Sequence, residues 1–291
     1  MAACGPPTSM TTASSVTEPL FQRGNQYQQF RPTYPSSLFQ WLADQSIDHD
    51  RALDLGCGSG QASRGLELWF QQVVGADISH EQLLAAPDSQ THYLVSQAHR
   101  LPLADASLDL ITVAQAYHWF DQTAFQVEAA RTLKPGGVLA LISYGICEVE
   151  GLEGMIRDFH DGPLAPWWPA ERAQVIAGYP EARLPWPVLP YPGDTITRDW
   201  TVTDMLGYLD TWSALVQAAR AGEHPLDDFA PRLRQAWGNE LRTVHWPLRV
   251  RAWQLPWYPE SEANDVSDSA ITQGAGSHRQ RRSLHLSTSA D

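Results

Sequence analysis

Asp54-Leu55-Gly56-Cys57-Gly58-Ser59-Gly60 is the stretch that decides the fold. It follows the short apolar strand Ala52-Leu53 and precedes Ala62, Leu66, Trp69 and Phe70, which repeat at helical spacing. A glycine-rich turn from strand to helix is where a parallel sheet opens its ligand crevice. Glycine at 56, 58 and 60 permits positive φ and leaves no Cβ between backbone and ligand. The helix that follows offers unpaired N–H groups at its start. Gly56-x-Gly58 by itself is shared by many nucleotide-binding folds, but Gln61 stands where G-x-G-x-x-G needs its third glycine. Asp54, two residues before the first glycine, would repel a pyrophosphate and suits a ligand carrying an ammonium group.

Outward from this turn the chain alternates strand and helix patterns over residues 36–143. Leu38, Trp41, Leu42 and Ile47 mark a first helical face, and Val73 to Asp77 a second strand. Ser79 with Gln82 is a capping-box signature before Leu83 and Leu84. Tyr93 to Val95, Leu108 to Val113 and Val138 to Ile142 read as further strands, with a helix through Phe125, Val127, Ala130 and Leu133. Continuous apolar strands joined by helices indicate a mostly parallel sheet covered on both faces, a doubly wound α/β fold of Rossmann-like type. Asp77 ends the second strand, where a carboxylate is placed to accept both hydroxyls of a ribose.

Beyond Tyr144 the texture changes to a Trp- and Pro-rich cover inserted after the fifth strand, in which residues 160–200 show no periodicity. Trp167, Trp168, Trp186, Trp200 and Trp212 would line a pocket for a flat or apolar molecule or form a small lid core. Thr203 is read as the cap of a helix running from Met205 to Leu215, followed by a helix near Phe229 to Trp237. Val244, Trp246, Leu248 and Val250 alternate as a closing strand, in which Pro247 predicts interrupted or edge pairing. The expected organisation is a disordered leader over 1–18, a ligand-binding core around the glycine turn over 19–145, the cover and closing elements over 146–255 in the same domain, and a disordered tail over 256–291.

Lys and Arg total 20 against 33 Asp and Glu, a net charge of −13, which argues against nucleic acid as a partner. Three separated cysteines, Cys4, Cys57 and Cys147, suit a reducing compartment and make neither a disulfide framework nor a metal site. No apolar run is long enough to span a membrane, and Met1 to Glu18 lacks the features of a secretory signal. A cytoplasmic protein with no membrane partner is expected. A single lysine, Lys134, stands among the cations, in Lys134-Pro135-Gly136-Gly137. That segment reads as a helix-to-strand turn whose lysine faces the negative helix end.

Asp54 to Gly60, Asp77, Leu101-Pro102-Leu103 and Leu133 to Gly137 together resemble the class I S-adenosylmethionine-dependent methyltransferases over about residues 20–145. Tyr27 to Pro35, Ala116 to Asp121 and Gly207 to Ser213 resemble the narrower, trans-aconitate methyltransferase-like branch of small-molecule enzymes. The resemblance implies S-adenosyl-L-methionine as cofactor, with Gly56, Gly58 and Gly60 along its methionine part and Asp54 answering its ammonium group. Asp77 would hold the ribose and Ile78 pack on adenine. Gln97 stands where many members have an acidic residue toward the adenine amine, and its amide oxygen can still accept that bond. Gln115 would face cofactor or acceptor, and Tyr27 would close over the sulfonium. Arg31, Tyr34 and Trp119 are the expected acceptor contacts. Arg31 either guides an anionic acceptor or stabilises its loop by an ion pair.

The reaction so implied moves a methyl group to an O, N or C nucleophile of a small molecule by in-line displacement. An ionised carboxylate would need no base; a phenol or amine would draw on His118, which otherwise packs between Tyr117 and Trp119. Two other readings are a nicotinamide-dependent oxidoreductase, which Gln61 and Asp54 disfavour, and a cofactor-binding protein without turnover.

Overall fold

The structure, a computed structural model, describes residues 30–257. Tyr27, the leader and nearly all of the tail lie outside the described residues. Five parallel strands form the first part of the sheet: β1 (Arg51–Leu55), β2 (Gln72–Asp77), β3 (His92–Val95), β4 (Leu108–Ala114) and β5 (Leu133–Tyr144). A long β9 (Arg242–Gln254) runs antiparallel beside β5. The order is β3-β2-β1-β4-β5-β9-β6, where β6 (Glu148–Val149) is a short edge piece. The order reverses between β1 and β4, which places the crevice at the carboxyl end of β1, at the glycine loop.

Side chains along β1 alternate between the two faces. Ala52 joins one core with Leu38 and Leu42 of α1 (Ser36–Gln45) and with Ala62 and Leu66 of α2 (Gln61–Leu66). Leu53 and Leu55 join the other, with Phe125 and Ala129 of α4 (Gln122–Thr132). Each leucine or phenylalanine among them, moved fully out of water, contributes about 1.5–3 kcal/mol. The helix after the glycine loop is shorter than its apolar spacing predicts. It stops at Leu66, and Trp69 and Phe70 fold back in a turn that bonds to the Leu66 carbonyl. Ile47 likewise lies past the end of α1 and is 57% exposed. Ser79 caps α3 (His80–Leu84), its hydroxyl accepting from the Gln82 N–H.

The Lys134 segment is not the expected helix-ending turn. β4 advances from Leu108 to Leu110 while its partner advances from Leu133 to Val138, so Lys134 to Gly137 bulge out within β5. The Lys134 ammonium reaches Asp109 at 2.6 Å and Asp50 at 3.0 Å. Asp48, Asp50 and Asp109 form a cluster that would suit a metal cation, and the lysine is the cation that occupies it. Asp109 is buried at 2% exposure and also accepts the Arg51 backbone N–H at 2.8 Å. Burial alone would push the lysine down, but the bonds to Asp109 and Asp50 outweigh it and hold Lys134 above the usual range. The starts of β1, β4 and β5 are thereby pinned together, at the end of the sheet opposite the glycine loop.

The cover holds more regular structure than its composition suggests. It contains α5 (Glu153–Asp161), α6 (Arg172–Ala177), β7 (Val188–Leu189) and β8 (Asp194–Trp200), the last paired with β9. The expected single helix after Trp200 is two: α7 (Val202–Asp210), with a capping box between Thr201 and Asp204, and α8 (Ser213–Arg220). Thr201, not Thr203, is the cap. Then comes α9 (Pro225–Trp237). Pro247 sits where the neighbour of β9 on one flank changes from β5 to β6, an interruption of the kind its missing N–H requires. The cover's tryptophans do not line one pocket. Trp167, Trp168, Trp200 and Trp212 pack with the first core, and Trp186 with the second.

Replacing Lys134 with Met strands a buried carboxylate. The expected loss is about 2 kcal/mol, below the ~3–5 kcal/mol of a fully buried pair because Lys134 keeps 27% of its side chain exposed. Urea denaturation measures it, and an unchanged midpoint would mean that solvent already carries the Asp109 charge.

Candidate functional site

The loop leaving β1 is built of left-handed glycines, with φ of 68° at Gly56, 55° at Gly58 and 75° at Gly60. The Ala76 carbonyl accepts the N–H groups of both Gly56 and Cys57. Asp77 accepts from Gly58 N–H at 2.8 Å through one oxygen and from Ser79 N–H at 2.8 Å through the other. Each oxygen keeps a lone pair for a further donor. A methyl on Gly60 would overlap the Tyr93 hydroxyl, and one on Gly56 would come within 2.5 Å of the Ala116 Cβ, so packing dictates both glycines. At Gly58 a methyl would meet nothing nearer than 3.7 Å, which leaves that face open to a ligand.

Asp54 is sealed beneath the loop at 0% exposure. Ser63 of α2 donates to one oxygen at 2.7 Å, and Thr112, its register neighbour on β4, to the other at 3.2 Å. Burial pushes this carboxyl up to about 6, against the pull of those two hydroxyls. Burial also raises the Cys57 thiol, with Asp54 and Asp77 adding to it, so Cys57 stays protonated and is no nucleophile. Ile78 is 70% exposed just after Asp77, and Val95, register partner of Asp77, is 53% exposed. They leave an apolar surface at the carboxyl ends of β2 and β3 that a flat ring fits. Gln97 lies exposed at the same end, bridged to Arg100.

On the other side of the loop the chain leaves β4 through Gln115, a non-glycine residue at φ 59°. Its side-chain nitrogen is buried without a partner. A strained backbone holding an unsatisfied amide costs stability, and such strain concentrates at ligand sites. His118 follows in a short helical turn, with Nδ1 at 3.2 Å from the Tyr179 hydroxyl and its ring 4.5 Å from that of Trp119. Burial lowers His118 to about 4, so it is neutral at physiological pH. Trp119 is half exposed.

The segment from Arg31 to Tyr34 lies against the same end of the sheet. The Gln61 amide donates to the Pro32 carbonyl, and Arg31 donates to the Tyr144 hydroxyl at 3.2 Å and to the Thr211 carbonyl at 3.0 Å. The Tyr34 and Tyr144 rings are 6.2 Å apart. The structure thus gathers Asp77, Ile78 and Gln97 on one flank of the glycine loop. On the other flank it gathers Gln115, His118 and Trp119, with Arg31 and Tyr34 at the end of β5. Ser63, Thr112, Val95, Tyr144 and Tyr179 escaped the sequence reading. Tyr144 had a usable signal, as the last residue of a long apolar strand on the ligand side; Tyr179, in an aperiodic segment, had none.

This geometry coincides with what comparison shows. Residues 53–141 match the family model of a methyltransferase domain. A Dictyostelium discoideum protein named as a methyltransferase is 30% identical over 225 residues, covering 75% of this chain and 84% of that one. A Mycobacterium tuberculosis protein, also named as a methyltransferase, is 40% identical over 118 residues, 40% of this chain and 48% of its own. A solved structure described as a type II methyltransferase from Anaeromyxobacter dehalogenans aligns with TM-score 0.74 and 39% identity, over 79% of this chain and 100% of its own. The chain belongs to the class I S-adenosylmethionine-dependent methyltransferases. Its cofactor is S-adenosyl-L-methionine, and the nicotinamide alternative falls away. The open face of Gly58, the spare lone pairs of Asp77 and the exposed Ile78 fit that cofactor's polar, ribose and ring portions.

Asp54 generates a test in this methyltransferase. Its value of about 6 lies above the ordinary 3.8, so the folded state keeps a proton that the unfolded chain has lost. The resulting stabilisation is present at low pH and disappears as pH rises through about 6. A ligand bearing an ammonium prefers the ionised form. Affinity for S-adenosylhomocysteine should therefore fall as pH drops below about 6, with proton release on binding near that pH. Calorimetry in two buffers of different ionisation heat counts the proton, and Asp54→Asn should abolish it; equal heats in the wild type would disconnect Asp54 from the ligand's charge.

Proposed function

We propose that this methyltransferase acts on a small-molecule acceptor in the cytoplasm, in the trans-aconitate methyltransferase-like branch, with an O, N or C atom of the acceptor as nucleophile. Residues 19–145 serve the cofactor and the cover within 146–255 serves the acceptor. The observation that carries this reading is the strained, unsatisfied Gln115 beside the glycine loop, with a neutral His118 held next to it. Among the described residues no helix is long and apolar enough to cross a membrane.

The cofactor supplies an electrophilic methyl group on a sulfonium sulfur. What this chain adds is alignment and exclusion of water. Asp77 fixes the ribose while Gly58 leaves room for the chain that carries the sulfur. Asp54 provides negative charge from beneath the loop for the ammonium. Gln97 accepts at the ring edge, and Gln115 orients cofactor or acceptor through its spare N–H; the role expected of Tyr27 falls outside the described residues. Arg31, Tyr34 and Trp119 bound the acceptor side. His118 is a weak base, its ring fixed by Tyr179, and takes a proton only from an acceptor that must lose one. A carboxylate acceptor makes no such demand.

Mass spectrometry of a metabolite extract incubated with the enzyme and methyl-labelled cofactor identifies the acceptor. Cofactor binding with no labelled product would make this a binding protein without turnover. Asp77→Ala removes a charged acceptor of hydrogen bonds, worth about 1.5–3 kcal/mol, so the cofactor dissociation constant should rise about tenfold or more. Unchanged affinity would sink the ribose assignment. His118→Ala should lower turnover by about 100-fold if it moves a proton, with cofactor affinity kept. Wild-type turnover in that variant would leave His118 as a packing residue.

A further inference from the structure

Arg172, at the start of α6, rests its guanidinium 4.7 Å from the centroid of the Trp168 ring. Its Nε is buried without a hydrogen-bond partner, and it joins none of the ion pairs among the described residues. The groups that bear on it most strongly, besides Arg31, are Tyr208, Tyr144 and Cys147, and its charge is also felt at His118, His160 and Tyr179, with no carboxylate among them. Arg31 is a second cation in the same region, fixed by the Tyr144 hydroxyl and the Thr211 carbonyl. The adjoining Glu171 bears on His118, where its charge works against that of Arg172. Burial works against the arginine's charge. A desolvated cation beside a like charge, with no anion to answer it in an ion pair among the described residues, is unfavourable and is relieved when an anion arrives.

We propose that Arg172, together with Arg31, forms an anion subsite that holds a carboxylate or phosphate group of the acceptor. The Trp168 and Tyr208 rings flank it, and the acceptor's reacting atom lies toward His118. This rests on the methyltransferase reading and adds to it a class of acceptor and the residue that selects it. Arg172 presents two faces to the ligand: a planar fork for two oxygens, and a charge that a neutral isostere does not engage.

The test uses the full chain loaded with S-adenosylhomocysteine. Calorimetric titration employs cinnamate and fumarate as carboxylates, phenyl phosphate and phosphoethanolamine as phosphates, and cinnamamide as the neutral counterpart of cinnamate. At least one anion class should bind, and whichever class binds names the head group. Where carboxylates bind, cinnamamide should bind about tenfold more weakly than cinnamate or not at all. Arg172→Met keeps the stem over Trp168 and removes the charge, and should weaken the anion about tenfold or more with S-adenosylhomocysteine affinity unchanged. Arg172→Lys should recover part of the loss, which separates charge from packing if the Met variant is poorly folded. The subsite is overturned if no anion binds, if cinnamamide matches cinnamate, or if Arg172→Met and Arg172→Lys both bind anions like the wild type. Failure of the wild type to bind S-adenosylhomocysteine would instead overturn the reading of the cofactor site.

Discussion

Two carboxylates at the carboxyl ends of adjacent strands hold the working end of this molecule in shape. A backbone that turns through left-handed glycines from β1 into α2 points its N–H groups away from any regular ladder, and they need acceptors. The Ala76 carbonyl takes those of Gly56 and Cys57. Asp77, at the end of β2, takes that of Gly58 from the side, while its other oxygen holds the Ser79 N–H of the next turn. Asp54, at the end of β1, works from below and binds Ser63 of α2 to Thr112 of β4. Neither residue could be apolar without loosening the loop, and both leave negative charge where the ligand sits. The same groups therefore shape the loop and set its electrostatics.

The opposite end of the sheet is organised by a positive charge. Lys134 gathers the beginnings of β1, β4 and β5 through Asp109 and Asp50. Strand starts are held by an ion cluster with one buried member, and strand ends are left to the ligand. That division permits a strained Gln115 and an unsatisfied amide at the carboxyl end, because rigidity is supplied elsewhere. It also explains why a chain rich in arginine keeps a lysine at this position. A compact ammonium can meet several carboxylates at once, which a planar guanidinium fork does less readily.

The core was legible because its signals are local. The continuous apolar runs, the glycine loop and the spacing of Asp54 from Asp77 depend on residues near one another in the chain, and they predicted the doubly wound fold. Lys134 was misread for the opposite reason: its partners Asp50 and Asp109 are distant in sequence, and Lys-Pro-Gly-Gly looks alike as a helix exit and as a strand bulge. The cover was less legible still. β8 buries only Ile196 of its seven residues, so it carries almost no alternation and is a strand by virtue of β9. α5 did offer Ile156, Phe159 and His160 at helical spacing, masked by Gly154 and by the prolines that follow. Arg172 and Tyr179 gain meaning only when α6 is set against the ends of β4 and β5.

β9 has a consequence in time as well as in space. This strand of 13 residues pairs with β5, β6, β7 and β8, and it is the final strand of the described chain. During synthesis the parallel strands and their helices emerge first, with β5 as a bare apolar edge whose partner has yet to be made. Such an edge invites pairing with other chains, and contacts between residues this far apart slow the final closure. Changes that weaken β9 would therefore show first as poor yield of folded protein in the cell, before any loss of cofactor affinity in the molecules that succeed.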